Sequence, residues 1–385
     1  ASIESHPPYG DIQNVDAAKL AAQPFKLQTS GGTTGIPRGT LAEPLAWETQ
    51  ALTTARAIWI EGGRPGDVAQ IPMTCSLANA SWQNYKACHD FLGILPLTTG
   101  SGVVTASRQQ LEIALRYGTT MWVSFPEYLQ RLAEVCREEL KRDVRDLKTK
   151  MLRTYLGPDV EGTLRRELED TWGCPAYDTY GTHEIGTCGF DCRERNGMHV
   201  MEDTLYLEIV DTETGAPLPP GEAGNMVVTV FFRSAPPIIR YNLRDLARID
   251  PESLERACGC GSHFRRMGHF LGRSDAMVKL RGVSVYPMAC LPAIKSDERT
   301  TGEWVCIVEK QDNREEMEVR VEVKREVASR DGLQEKLEKR LREDLGVAVN
   351  VTLVGQGDLD ELANTGGREG KARRLVDRRP GYAKK

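Results

Sequence analysis

The sequence predicts an α/β chain of more than one domain, and three observations carry that prediction. Helix-like and strand-like segments alternate through the first half, which implies a sheet flanked by helices with function on the loops at its strand ends. After Val200 the pattern turns to β-rich ribbons, and beyond Asp275 it becomes a compact α+β segment. At 385 residues the chain also exceeds a typical domain of ~100–200 residues.

The elements follow in order. Residues 41–60, rich in Ala, Leu and Trp, read as a helix that ends at the break Gly62-Gly63-Arg64-Pro65-Gly66. Residues 68–73 and 92–97 read as short strands, with a helix over 108–116. Met121-Trp122-Val123-Ser124 is a third strand, and Pro126 opens a helix to Cys136, because a missing N–H is tolerated in the first helical turn. The charged stretch 137–148 reads as a solvated face or loop. Ribbons at 205–210 and 225–232 are separated by the turns Asp211-Thr212-Glu213-Thr214-Gly215 and Pro219-Pro220-Gly221. The last segment offers strands at 305–308 and 317–323, a helix over 331–343 and a strand over 347–354. No internal repeat is visible.

Bulk properties exclude several classes. With 55 acidic and 50 basic side chains, a net charge of −5 and interleaved signs, the chain carries no nucleic-acid footprint. No apolar run approaches the ~18–20 residues of a membrane span, and the start does not resemble a signal peptide, so a cytoplasmic location is expected. The 10 cysteines are scattered along a long chain, which suits free thiols or a metal better than a disulfide scaffold.

The most informative stretch is Thr29-Ser30-Gly31-Gly32-Thr33-Thr34-Gly35-Ile36-Pro37. Glycines let backbone N–H groups turn toward an anion, and Ser30, Thr33 and Thr34 add hydroxyl donors. That is phosphate-binding chemistry, although a ligand-free Gly/Thr turn has the same composition. It differs from G-x-x-x-x-G-K-[ST], since no lysine follows, and from G-x-G-x-x-G.

Further motifs follow in order: Tyr180-Gly181-Thr182-His183-Glu184, Gly197 to Asp203, Arg240-Tyr241-Asn242-Leu243-Arg244-Asp245, Gly272-Arg273-Ser274-Asp275, Arg281 to Pro287, and Glu369-Gly370-Lys371-Ala372. Together with the Ser30–Pro37 loop they make the chain resemble an adenylate-forming acid–CoA ligase of the phenylacetate–CoA ligase branch, from about residue 25 to 377. The resemblance implies the adenylate-forming fold: a large N-terminal adenylation domain, 1–274, with a β-rich portion over 185–272, and a small mobile C-terminal domain, 275–385. It implies an acyl-adenylate made from ATP and a carboxylic acid, then captured by coenzyme A. It also implies a leader ahead of the phosphate loop, so the chain reads as truncated there.

Residue roles follow from the match. Adenylation sets an unactivated carboxylate beside a polyphosphate, so the site must neutralise charge on both. The loop Ser30, Gly31, Gly32, Thr33, Thr34, Gly35 would hold the β and γ phosphates. Glu184 would hold Mg²⁺, with Thr182 or Thr33 as a neighbouring oxygen donor. Tyr180, followed by Gly181 in a Tyr-Gly turn, would pack on adenine, and Asp245 would accept from the ribose hydroxyls. Arg273 would approach the nucleotide, Asp275 would be the hinge, and Lys371 would bridge carboxylate and α-phosphate. Singly, Glu184 and Lys371 also read as surface charges and Asp245 as a partner of Arg244. The chain departs from the family at Gly31 and Ile36, where a serine and a lysine are usual, with Arg38 nearby as a substitute cation. His183 stands where serine or threonine is usual and would touch the substrate carboxylate or wall the cleft.

Cys258-x-Cys260, with Cys192 and His199, makes a Cys₃His set suited to a structural Zn²⁺, an arrangement the resembling branch shares. Cys188 is the rival fourth ligand, and buried free thiols are the plain alternative. In the stretch Ala78 to Tyr85, the resemblance places the acyl pocket, with Trp82 and Tyr85 as aromatic walls and Ala80 leaving room for a ring; both rings also suit an ordinary helix core. The expected partners are ATP (leaving as AMP), an aryl acid and coenzyme A; the resemblance admits a homodimer. Transfer to an amine or a carrier-protein thiol shares every adenylation residue, and a degenerate nucleotide-binding homologue is a third reading.

Overall fold

Strands covered on both faces need apolar side chains at successive positions, and the central strands of this chain have them. The computed structural model describes residues 13–29, 39–274, 278–280, 283–311, 314–327, 329–363 and 372–379. The chain divides into two compact units, residues 1–271 and 272–385.

In the first unit β1 (Lys26–Thr29) and β2 (Gly39–Ala42) pair antiparallel ahead of helix α1 (Pro44–Glu61). The helix starts three residues later than its composition suggests because 39–42 is taken by the strand. Gly62, at a φ of 122° that side chains avoid, ends it. Next come β3 (Val68–Gln70), helix α2 (Asn79–Lys86), β4 (Leu95–Leu97), β5 (Met121–Val123) and β6 (Met151–Thr154). Strand β4 is shorter than expected, since residues 87–92 continue α2 as one π-helical turn. Then follow β7 (Ala176–Thr182), β8 (Gly186–Phe190), β9 (Met198–Val200), β10 (Leu205–Val210), β11 (Gly224–Val230), β12 (Tyr241–Ala247) and β13 (Arg266–Met267).

Eight strands form one sheet in the order β13-β9-β8-β7-β6-β5-β3-β4. From β4 to β7 neighbours are parallel; β8, β9 and β13 extend the sheet antiparallel. At its centre Met121-Trp122-Val123 is buried at all three positions, and Trp122 meets Trp172 edge-on at 5.5 Å. Burying such a side chain stabilises by ~1.5–3 kcal/mol. A second sheet holds β10, β11 and β12 antiparallel, sealed by Leu205, Leu207, Met226 and Val228.

The second unit sets strands Thr300–Gln311 and Arg314–Val323 side by side antiparallel, flanked in parallel by Leu375–Asp377 and Asn350–Gly355. Helix Leu333–Leu345 covers this sheet with Leu333, Leu337, Leu341 and Leu345, one stripe at i, i+4 spacing. Among the described residues, no helix is long and apolar enough to cross a membrane.

Candidate functional site

The site grows from the end of β7. Its residues are buried from Ala176 to Thr179 and emerge at Tyr180 and Gly181, so the strand delivers its last side chains to the sheet's edge. The turn His183-Glu184-Ile185 then reverses the chain into β8. Tyr180 and Gly181 therefore belong to the strand, and the turn lies just beyond them. A Cβ on Gly181 would lie 2.3 Å from the Gly186 carbonyl oxygen, so the two strands meet this closely only because residue 181 has no side chain.

Tyr180 Oη donates to Asp245 Oδ2 at 2.5 Å. This bond joins the eight-stranded sheet to β12, where Asp245 is buried. A neutral hydroxyl donating to a carboxylate makes a strong, short bond. The Tyr180 ring stacks on Phe270, centroids 6.0 Å apart and planes at 30°. The two motifs that carry Tyr180 and Asp245, 65 residues apart, thus meet.

Glu184 is half-buried in the turn, and the buried Arg233 guanidinium donates to its backbone carbonyl and to that of Leu41. Burial pushes Arg233 down to about 10, with Glu184 and Glu43 opposing. Nothing in the sequence marks Arg233, which belongs to no motif. The Thr182 hydroxyl is buried and has no hydrogen-bond partner among the described residues. An oxygen so placed two residues from Glu184 suits a hard cation such as Mg²⁺.

Cys192, His199, Cys258 and Cys260 converge, their ligand atoms all within 4.8 Å of one another. Cys192 Sγ lies 3.7 Å from Cys258 Sγ, and Cys260 Sγ lies 3.4 Å from His199 Nε2. Tetrahedral Zn²⁺ with ordinary bond lengths needs ~3.8 Å between sulfurs and ~3.6 Å between sulfur and nitrogen, so the donors suit the ion. His199 Nδ1 faces the Phe264 carbonyl at 3.3 Å, which turns Nε2 toward the thiols. Burial holds the imidazole below its ordinary value, in the neutral form that ligates. Cys188 lies instead in the apolar core between the sheets, where burial pushes its thiol up to about 12.

Trp82 and Tyr85 sit on α2 and meet edge to face at 6.5 Å. Trp82 Nε1 donates to the Ser76 carbonyl at 2.7 Å, while Ala80 and Tyr85 pack on the core beside Ile58 and Ile71. Beside them stands Lys26, which the sequence did not single out. Its Nζ donates to Asn79 Oδ1 at 2.8 Å and lies 3.9 Å from the Trp47 ring centroid; burial pushes it down to about 7, with Cys75 opposing. Arg273 opens the second unit and is exposed. The loop Ser30–Gly35, Arg38, Asp275 and Lys371 lie outside the described residues.

The family model of AMP-binding enzymes matches residues 5–230, and that of the AMP-binding enzyme C-terminal domain matches residues 282–379. The phenylacetate-coenzyme A ligase of Pseudomonas putida is 30% identical over 364 residues, covering 92% of this chain and 78% of the relative. That of Thermus thermophilus is 28% identical, covering 98% of this chain and 85% of the relative. Among solved structures, a 2-hydroxyisobutyryl-CoA ligase in the postadenylation state with 2-HIB-AMP superposes with a TM-score of 0.83 at 25% identity, covering 98% of this chain and 77% of that one. With both models in order along the chain and a relative 30% identical over most of it, this protein belongs to the AMP-binding enzyme family, on its phenylacetate–CoA ligase-like branch.

Proposed function

We propose that this chain is an ATP-dependent, AMP-forming ligase that joins an aromatic or arylacetic acid to coenzyme A. The observation that carries the reading is the Tyr180–Asp245 hydrogen bond beside the Glu184 turn, in a chain that both family models match. Two displacements make up the reaction. A carboxylate oxygen of the acid attacks the α-phosphorus of ATP, and the bond to pyrophosphate breaks. The thiol of coenzyme A then loses its proton, attacks the acyl carbonyl and expels AMP.

The residues divide this work. Asp245 accepts from the ribose hydroxyls, and Tyr180 lays its ring along adenine while holding Asp245 in place. Ser30 to Gly35 offer N–H and O–H donors to the outer phosphates, with Arg38 standing in for the lysine that Ile36 replaces. Glu184, with Thr182 or Thr33 beside it, would hold a Mg²⁺ ion, which would supply positive charge for the phosphates. Lys371 serves the first displacement, where phosphoryl and carboxylate oxygens share growing charge. By the family resemblance Arg273 would approach the nucleotide and Asp275 would serve as the hinge of the C-terminal domain. His183, Ala80, Trp82 and Tyr85 shape the acid's site. The Cys192, His199, Cys258, Cys260 cluster takes a structural Zn²⁺, whose four protein ligands leave no open position for catalysis.

The test is a panel of aryl acids in an ATP–pyrophosphate exchange assay, followed by mass analysis after adding coenzyme A. Acid-dependent exchange and an acyl-CoA product are expected. Exchange without acyl-CoA would move the acceptor to an amine or a carrier thiol. No exchange with any acid would leave a nucleotide-binding homologue without the reaction.

A further inference from the structure

Beside the nucleotide site lies a buried charge chain that neither the motifs nor the proposed mechanism uses. Asp178 and Tyr180 stand two apart on β7, so they share a face of the strand. His269 and Phe270 are consecutive on the segment that follows β13, and each meets one of them. His269 Nδ1 lies 3.6 Å from Asp178 Oδ2, and the Phe270 ring stacks on Tyr180. The same segment is tied on its other side to β12: Gly268 N–H donates to the Arg248 carbonyl at 2.9 Å and Leu271 N–H to that of Leu246 at 2.8 Å. Residues 268–271 are thus stapled between the strand of Tyr180 and the strand of Asp245.

Charge explains why the staple has a histidine. The Asp178 side chain is 4% exposed and that of Asp191 is 0% exposed. They are neighbours, since the Asp178 N–H donates to Asp191 Oδ2 at 2.8 Å. Buried carboxylates hold their charge only with cations or hydrogen bonds beside them. Arg165, on helix Thr163–Trp172, supplies one through Nη2 at 2.8 Å from Asp191. His269 is the other. Leu156 N–H also donates to Asp178 Oδ1 at 2.9 Å, which fixes that carboxylate's orientation.

We propose that His269 is a positioning residue of the nucleotide site: its imidazolium, seated on Asp178, holds Phe270 against Tyr180 and so keeps the Tyr180 hydroxyl on Asp245. The inference rests on the adenylating reading of that site. The nearby Asp178 carboxylate raises His269 above the ordinary histidine value, with burial opposing. Raising the pH through that raised value removes the charge, leaves Asp178 without its cation and loosens the staple. At the acid end burial pushes Asp191 up to about 6, with Arg165 opposing, so that carboxylate holds its charge only above that value.

The test titrates Mg²⁺–ATP into the full chain by calorimetry at about pH 7 and about pH 9, both above the ordinary histidine value of ~6.5. Wild-type affinity should fall roughly fivefold or more between the two. His269→Lys keeps its charge over this range and should hold its affinity, whereas His269→Gln should bind weakly at both values. Coincident wild-type and Gln profiles would overturn the proposal, as would a Lys variant that falls as the wild type does. Should the Gln variant fail to fold, the wild-type and Lys pair decides alone. Absence of ATP binding by wild type at the lower pH would instead remove the adenylating reading on which the proposal stands.

Discussion

At the scale of the residue, the account turns on Asp245. Its Oδ2 is already engaged by Tyr180, so the carboxylate is oriented before any nucleotide arrives, and on the proposed mechanism ribose would meet an acceptor that needs little rearrangement. Asp245→Ala should weaken ATP binding by ~1.5–3 kcal/mol, about ten- to hundredfold in Kd, while the fold persists. Calorimetry on the folded variant checks this; unchanged affinity would return Asp245 to a purely structural role. Asp245 and Tyr180 were both legible as motif positions, but their contact was not, because nothing in sequence spacing says that β7 and β12 meet. Arg233, Lys26 and His269 carry no such mark. Each matters through burial and a partner far along the chain, as Arg233 does by holding the carbonyls of Leu41 and Glu184.

At the scale of the element, the sequence was most readable where one physical pattern dominates. The apolar run 121–123 and the Pro126 start are seen in strand Met121–Val123 and helix Pro126–Glu138, and the ribbon at 205–210 in strand Leu205–Val210. Strands β6, β7, β8 and β9 were not read, since Gly186-Thr187-Cys188-Gly189 and Met151-Leu152-Arg153-Thr154 lack either alternation or a plain apolar run. They are strands because the sheet covers them: Arg153, which looks like a surface residue in sequence, is buried in an ion pair with Glu61. Burial pushes Glu61 up to about 7, with Arg153 opposing. The cysteine cluster shows the opposite case, where C-x-C spacing made two of the four donors conspicuous. It links β9 to the loop at 258–260, so Cys258→Ser should lower both zinc content and Tm, with activity falling only as folding fails. Cys188→Ala should leave the zinc in place. Metal analysis and thermal melts check both, and zinc-free protein never exposed to chelator would dismiss the ion.

At the scale of the whole molecule, the two units divide the sequence motifs between them: the stretch Ser30 to Gly35, Glu184 and Asp245 fall in the first, Lys371 in the second. On the proposed mechanism Lys371 acts only while the acid attacks phosphorus. Lys371→Ala should therefore cut adenylate formation severely, by ~10²-fold or more, and leave capture of a supplied acyl-adenylate by coenzyme A much less affected. Single-turnover measurement of each half-reaction checks the split, and equal losses in both would mean another lysine does this work. Activation of the acid as a mixed anhydride with AMP is decided by the fate of oxygen. With phenylacetate labelled in both carboxylate oxygens with heavy oxygen, together with unlabelled ATP and coenzyme A, the AMP released should carry one labelled oxygen, because the attacking oxygen stays on phosphorus when the thiol takes the acyl group. Label in orthophosphate or pyrophosphate, or acyl-CoA formed beside unlabelled AMP, would contradict the account.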